Sequence, residues 1–149
     1  ALPNHSEHQT GLAIDLALKQ NKINFICPSF PYDGVCAAFR EKAPYYGFIE
    51  RYQKEKDEIT GIAHEPWHFR YVGYPHSMII KKYNFVLEEY IDFLKQFPYE
   101  GGHFITEING LVVEIFYVEA SCNEIHLPED TIYQISGNNV DGFIVTVWR

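Results

Sequence analysis

The pattern of hydrophobic residues changes at Pro98, and this change constrains the fold more than any other feature of the chain. Before Pro98, segments of alternating hydrophobic residues are separated by segments with helical spacing. After Pro98, two pairs of alternating segments each flank a turn, and the first turn is Asn109-Gly110, a strong hairpin signal. The sequence therefore predicts an α+β domain over residues 1–97 and a small β-hairpin unit over residues 98–149.

The hydrophobic pattern predicts the secondary structure of most segments. Strands are expected over residues 12–18, 48–52, 67–72, 103–108, 111–118, 131–135 and 143–147. Helices are expected over residues 33–45, 75–82 and 84–97, the last with Asn84 as its N-terminal cap. Residues 21–32 and 54–60 are expected to be loops.

The charge and the apolar runs exclude two classes of partner. Lys and Arg total 12 against 20 for Asp and Glu, a net charge of −8, whereas nucleic-acid binders present a basic face. No apolar run approaches the roughly 18 residues of a membrane helix.

The N-terminus has neither a signal peptide nor an initiator Met, which is typical of a processed or truncated piece. Three cysteines without a C-x-x-C pair fit reduced thiols and a cytoplasmic location.

Asp15 is the most informative single residue. It lies in an alternating apolar strand between Ala13 and Ala17, where its carboxylate is expected to be partly buried. A buried carboxylate must be paired, neutralised or bound to a metal. One alternative is therefore a structural salt bridge from Asp15 to Arg70 or Arg51.

A metal site is the other alternative, because His8 lies upstream of Asp15, and Glu65 and His68 lie further along the chain. Two imidazoles and two carboxylates are the side chains of a catalytic zinc site, in which three protein ligands leave a fourth position open.

The spacing restricts the geometry of such a site. Pro66 keeps the segment Glu65–His68 out of a helix interior, which excludes the helical His-Glu-x-x-His arrangement. His8 and Asp15 are seven residues apart, so a flat strand would point them to opposite faces. A turn near Gly11 would bring them together.

Two motifs resemble those of the zinc D,D-peptidases of the VanX/VanY group. Residues 6–15 have the pattern Ser-x-His-x-x-Gly-x-Ala-x-Asp, and residues 65–68 resemble the Glu-x-Trp-His motif. When residues 59–61 and 65–73 are compared as well, the chain resembles the bifunctional VanXY type most. The resemblance covers roughly residues 1–97. Enzymes of this type remove D-alanine from both the D-Ala-D-Ala dipeptide and the precursor pentapeptide.

The resemblance implies a role for individual residues. The implied Zn²⁺ ligands are His8, Asp15 and His68. Glu65 would be the general base and acid, Ser6 would hold the substrate near its terminal carboxylate, and Trp67 would shape the pocket. Residues 21–32 correspond to a segment that helps to cover the substrate. Arg70 shares the predicted strand face of His68 and is a candidate substrate contact that the resemblance does not itself assign.

The implied fold is a small antiparallel sheet that carries the zinc site, with flanking helices, as in D,D-peptidases and hedgehog-like domains. The implied substrates are D-Ala-D-Ala and D-Ala-ending muramyl peptides, and the implied role is support of glycopeptide (vancomycin) resistance. The family's oxyanion-stabilising Arg comes from a segment well before the Ser-x-His motif, outside this chain. Strands left unpaired by a missing segment would favour a homo-oligomer.

Two alternatives remain open. The chain could be a non-catalytic zinc-bearing binding domain, in which His5 or His64 closes the metal site as a fourth ligand. It could also be a peptidoglycan endopeptidase that cleaves a different bond, which a panel of substrates would distinguish.

Overall fold

The computed structural model describes residues 5–149. The chain divides into an N-terminal unit, Ala1–Glu88, and a C-terminal unit, Glu89–Arg149. The division falls before Pro98, where the hydrophobic pattern changes. Among the residues described, no helix is long and apolar enough to cross a membrane.

A three-stranded antiparallel sheet forms the centre of the N-terminal unit. Its strands are β1 (Ala13–Asp15), β2 (Phe48–Tyr52) and β3 (Glu65–Tyr71), in the order β1-β3-β2. Directly paired residues share a face of an antiparallel sheet, so Asp15, which pairs with His68, lies on the same face as that histidine. The predicted α+β class with a small antiparallel sheet is confirmed.

The opposite face of this sheet carries the hydrophobic core of the N-terminal unit. The described residues contain the helices α1 (Gly34–Lys42), α2 (Asp57–Thr60), α3 (His76–Tyr83) and α4 (Leu87–Leu94). The buried residues of the core are Phe30, Cys36, Ala43 and Phe69, and the partly buried ones are Leu16, Phe39, Phe48 and Trp67. Because Trp67 and Phe69 alternate with His68 along β3, packing of the first two turns the imidazole towards the other face.

Asn84 ends a helix, although the sequence analysis expected it to begin one. Its φ of 54° is left-handed, and its backbone N–H closes the last turn of α3 on the carbonyl oxygens of Ile80 and Lys81. Asparagine tolerates this conformation better than most residues, so it serves at helix C-termini as well as N-termini. The next helix, α4, starts later, at Leu87. Residues 54–60 were expected to be a loop, but they contain α2, a helix of one turn.

The C-terminal unit contains a four-stranded antiparallel sheet. Its strands are β4 (Phe104–Ile108), β5 (Leu111–Glu119), β6 (Ile132–Gly137) and β7 (Gly142–Trp148), in the order β4-β5-β7-β6. The hairpin at Asn109-Gly110 is confirmed, since both residues have positive φ (52° and 80°) and Ile108 pairs with Leu111.

Gly47 provides a test of the packing in the N-terminal unit. It has a φ of 85°, and a Cβ added there would lie 2.6 Å from Cε2 of Tyr71 and 3.1 Å from Cα of Gly73. Gly61 has a φ of 69° with open space around it. Gly61→Ala should therefore lower the free energy of unfolding by about 1–2 kcal/mol, from backbone strain alone. Gly47→Ala should cost about 1–3 kcal/mol more because of overpacking. Urea unfolding of both variants measures the difference, and equal losses would contradict the crowding at Gly47.

Candidate metal centre

The pairing of β1 with β3 places the first two side chains of the site together. Asp15 lies directly opposite His68, and its Oδ1 is 3.1 Å from Nδ1 of that imidazole. His68 is buried, whereas the side chain of Asp15 is 34% exposed. The carboxylate is therefore more open to solvent than its place between two alanines predicted.

A turn at Gly11 brings in the third side chain. The 3₁₀ turn Glu7–Thr10 ends at Gly11, whose φ of 72° reverses the chain just before β1. This is the turn that the sequence analysis required. Nε2 of His8 then lies 3.3 Å from Oδ1 of Asp15, and the rings of His8 and His68 are 4.8 Å apart at their centroids.

These three residues form a group that could hold a metal ion. One ligand atom from each of His8, Asp15 and His68 lies within 4.8 Å of the others. Two imidazole nitrogens and a carboxylate oxygen are typical zinc ligands. The donor set therefore fits a divalent metal of this kind.

Each imidazole presents a defined nitrogen to the group. Nδ1 of His8 is 3.2 Å from the carbonyl oxygen of Ala13, which can only accept a hydrogen bond, so Nε2 remains for a metal. Nε2 of His68 is 3.1 Å from Oε2 of Glu7, which leaves Nδ1 on the side of Asp15. Second hydrogen bonds of this kind orient metal-binding histidines in proteins.

Glu65 reaches the same side of the sheet through an irregularity in β3. Glu50 pairs with Phe69 and Tyr52 pairs with Glu65. Between these two pairs, β2 advances by two residues while β3 advances by four. Pro66 lies in this stretch and has no N–H to donate to the ladder. A bulge of this type re-aims side chains. Oε2 of Glu65 consequently lies 3.7 Å from Nδ1 of His68 although the two residues are three apart in a strand.

Glu7 is the residue that the sequence analysis missed. Besides contacting His68, its carboxylate accepts a hydrogen bond at Oε1 from Nε of Arg51 (2.9 Å) and forms an ion pair at the same oxygen with the Arg70 guanidinium (2.8 Å). Burial of Glu7 alone would raise its pKa, but the contacts with His68, Arg51 and Arg70 lower it to about 2. The only sequence signal was its position next to a candidate ligand, His8.

Arg70 remains a predicted substrate contact, and its guanidinium also binds groups of the protein itself. Its guanidinium is buried, pairs with Glu7, and donates from Nε to the backbone carbonyl of Tyr71. The alternative salt bridge of Asp15 with Arg70 or Arg51 is not formed, because both guanidinium groups bind Glu7 while Asp15 contacts imidazoles.

Ser6 and Trp67 are the other two residues predicted at the site, and each is next to one of its histidines or separated from it by one residue in sequence. Ser6 precedes the turn Glu7–Thr10, and its hydroxyl makes no cap hydrogen bond to that turn. The Trp67 side chain packs against the hydrophobic core. Its backbone carbonyl accepts a hydrogen bond from Leu16 N–H, which extends the contact between β1 and β3.

His64, a possible fourth ligand, belongs to a different cluster. Its Nε2 lies 2.7 Å from the hydroxyl oxygen of Tyr32 and 3.5 Å from the carboxylate of Glu50. Within residues 5–149, the group that could hold a metal ion consists of the two histidines and Asp15. Three protein ligands leave a coordination position for water or substrate, as catalytic sites do.

Comparison with known proteins gives a family match and close relatives. Residues 1–74 match the family model VanY, described as D-alanyl-D-alanine carboxypeptidase. A D-alanyl-D-alanine carboxypeptidase of Enterococcus faecium is 47% identical over 150 residues, which cover 99% of this chain and 46% of the relative. The bifunctional D-Ala-D-Ala dipeptidase and D-Ala-D-Ala carboxypeptidase VanXYC of Enterococcus gallinarum is 54% identical over 97 residues, 64% of this chain and 51% of that protein. The chain thus spans about half the length of these relatives.

A solved structure extends the similarity along the whole chain. The vancomycin resistance D,D-dipeptidase VanXYg, in complex with a D-Ala-D-Ala phosphinate analog, superposes with a TM-score of 0.92 at 57% identity. The superposition covers 100% of this chain and 60% of VanXYg.

The geometry predicts that a single side chain controls metal binding. Asp15→Ala removes the only charged donor of the three-residue group, so Zn²⁺ affinity should fall on the order of 100-fold or more. Asp57→Ala removes an exposed carboxylate at the start of α2 and should leave the affinity unchanged. Competition with a chromogenic chelator measures both, and an unchanged affinity for Asp15→Ala would contradict the site.

Proposed function

We propose that the chain, whose residues 1–74 match the VanY family model of D-alanyl-D-alanine carboxypeptidases, is a zinc-dependent D,D-peptidase of this family. In this proposal it releases D-alanine from the D-Ala-D-Ala dipeptide and from precursor peptides with the same ending. The observation that carries the proposal is a group of three metal ligands with Glu65 beside it. The relative VanXYC is named as a D-Ala-D-Ala dipeptidase and carboxypeptidase, and VanXYg has been solved with a D-Ala-D-Ala phosphinate analog.

The metal ligands in this proposal are Nε2 of His8, Nδ1 of His68 and a carboxylate oxygen of Asp15. Zn²⁺ bound there would polarise the scissile carbonyl and lower the pKa of a water molecule at the open position. The hydrogen bonds to Ala13 and Glu7 hold each imidazole with the required nitrogen on the side of Asp15.

Glu65 is the general base and then the general acid. Its carboxylate lies on the Nδ1 side of His68, where it can take a proton from the attacking water. The same carboxyl group then passes the proton to the nitrogen of the departing D-alanine. The side chain is 31% exposed, so its carboxylate is accessible to water and substrate.

Ser6 is proposed to hold the terminal carboxylate of the substrate. Its hydroxyl is not used to cap the turn that follows, and only one residue separates it from the ligand His8. Trp67 is proposed to shape the pocket from behind, since its packing against the core fixes the strand between Glu65 and His68. Arg70 is proposed to act at the site through Glu7.

Hydrolysis of D-Ala-D-Ala and removal of the terminal D-alanine from cell-wall precursors would support glycopeptide resistance, and we propose this as the biological role. The relatives' names and the description of VanXYg as a vancomycin resistance enzyme support it. A cytoplasmic site of action is part of the proposal. The three cysteines support it because all are unpaired, and two of them, Cys27 and Cys122, are exposed.

The substrate is tested by D-alanine release in the presence of Zn²⁺. We expect release from D-Ala-D-Ala and from a pentapeptide with that ending, abolished by a chelator and restored by Zn²⁺. A cross-peptide substrate with an L,D bond should remain intact. Cleavage of the L,D bond alone would favour the endopeptidase, and Zn²⁺ binding without any cleavage would favour a binding domain. An N-terminally extended chain, assayed in parallel, separates an inactive domain from an incomplete enzyme.

The role of Glu65 is tested by Glu65→Gln. This variant should bind Zn²⁺ as the wild type does, because Glu65 is not among the ligands. It should lose about 10²- to 10⁴-fold in kcat, the usual contribution of a positioned acid–base group. Glu58→Gln, which neutralises an exposed carboxylate on α2, is the matched control and should retain full activity. Full activity of Glu65→Gln would reject the assigned base.

A further inference from the structure

Glu7 contacts the metal centre from the side opposite to Asp15 and Glu65. Its Oε2 lies 3.1 Å from Nε2 of His68, whereas the other two carboxylates approach Nδ1 of that ring at 3.1 and 3.7 Å. The Glu7 side chain is only 14% exposed. Little water therefore competes for this contact.

The other oxygen of Glu7 is held by two arginines from two strands. Oε1 accepts a hydrogen bond from Arg51 of β2 and forms an ion pair with Arg70 of β3. Arg51 is itself fixed by Glu88, whose two carboxylate oxygens accept from its two terminal nitrogens at 2.9 and 2.5 Å. A paired guanidinium has a rigid planar geometry. The carboxylate of Glu7 is thus immobilised before any metal binds.

This fixed carboxylate decides which nitrogen of His68 carries the proton. A neutral imidazole has one N–H, and a carboxylate without a proton can only accept it. With the proton on Nε2, the ring donates to Glu7 and points the lone pair of Nδ1 towards Asp15 and His8. In the other tautomer, the lone pair of Nε2 would face a lone pair of the Glu7 carboxylate. The N–H would then be on Nδ1 and would point towards Asp15 and His8.

From this geometry we infer that Glu7 is a positioning residue of the metal centre, an inference that rests on the proposed function. Glu7 fixes the tautomer and the orientation of His68, and so raises the affinity for Zn²⁺ without touching the metal. Arg51 and Arg70 hold Glu7 in place. The residue between Ser and His of the Ser-x-His motif thereby acquires a function in this chain.

The test compares Glu7→Gln with Glu88→Gln. Both variants neutralise one carboxylate that binds Arg51, but only Glu7 contacts His68. Chelator competition should show Zn²⁺ affinity reduced about 10- to 100-fold in Glu7→Gln, the usual effect of losing such a partner. Glu88→Gln removes no contact with His68 and leaves Arg70 beside Glu7, so its Zn²⁺ affinity should fall less than that of Glu7→Gln. Glu7→Asp, which keeps the charge but shortens the side chain, should lie between, and it replaces Glu7→Gln if that variant does not fold.

A second readout follows the His68 ring in the metal-free protein. Long-range ¹H–¹⁵N NMR should show the Nε2–H tautomer in the wild type and in Glu88→Gln, and a mixture in Glu7→Gln. Wild-type Zn²⁺ affinity together with an unchanged tautomer in Glu7→Gln would overturn the inference, and so would a wild type that binds no Zn²⁺. If the wild type binds Zn²⁺ but releases no D-alanine, the proposed function fails while the loss of affinity in Glu7→Gln still supports the inference.

Discussion

The register between β1 and β3 is the constraint on which the rest of the site depends. The two strands meet over only three paired positions, with Asp15 opposite His68. A slip of one residue would turn Asp15 to the opposite face. Backbone hydrogen bonds extend the contact beyond β1 on both sides, from Tyr71 N–H to the carbonyl of Leu12 (2.7 Å) and from Leu16 N–H to that of Trp67 (3.0 Å). The turn at Gly11 then needs only to fold His8 back over a pair that is already fixed.

Charge is distributed unequally across His68. Behind the ring, the negative charge of Glu7 is compensated by two buried guanidinium groups. In front of it, Asp15 faces two imidazoles, which are neutral when they act as metal ligands. The front therefore has a carboxylate whose charge a cation would compensate, with Glu65 close to it. The carboxylates on the two sides of His68 therefore lie in different electrostatic environments.

The sequence predicted those features that depend on nearby residues. The hairpin at Asn109-Gly110 and the turn at Gly11 follow from local backbone preferences, and the structure contains both. The ligand set came from a family resemblance, and the structure brings those three side chains together. Features that depend on distant contacts could not be predicted: Glu7 lies 44 positions before Arg51 and 61 before His68. Asn84 was misassigned because asparagine is suited to both ends of a helix.

Anomalous diffraction at the zinc edge, from crystals of the zinc-loaded chain, tests the central claim most directly. The account predicts one strong peak about 2.0–2.2 Å from Nε2 of His8, Nδ1 of His68 and a carboxylate oxygen of Asp15. It also predicts that Nε2 of His68 remains bound to Glu7. A peak at another place, or one coordinated through Nε2 of His68, would contradict it.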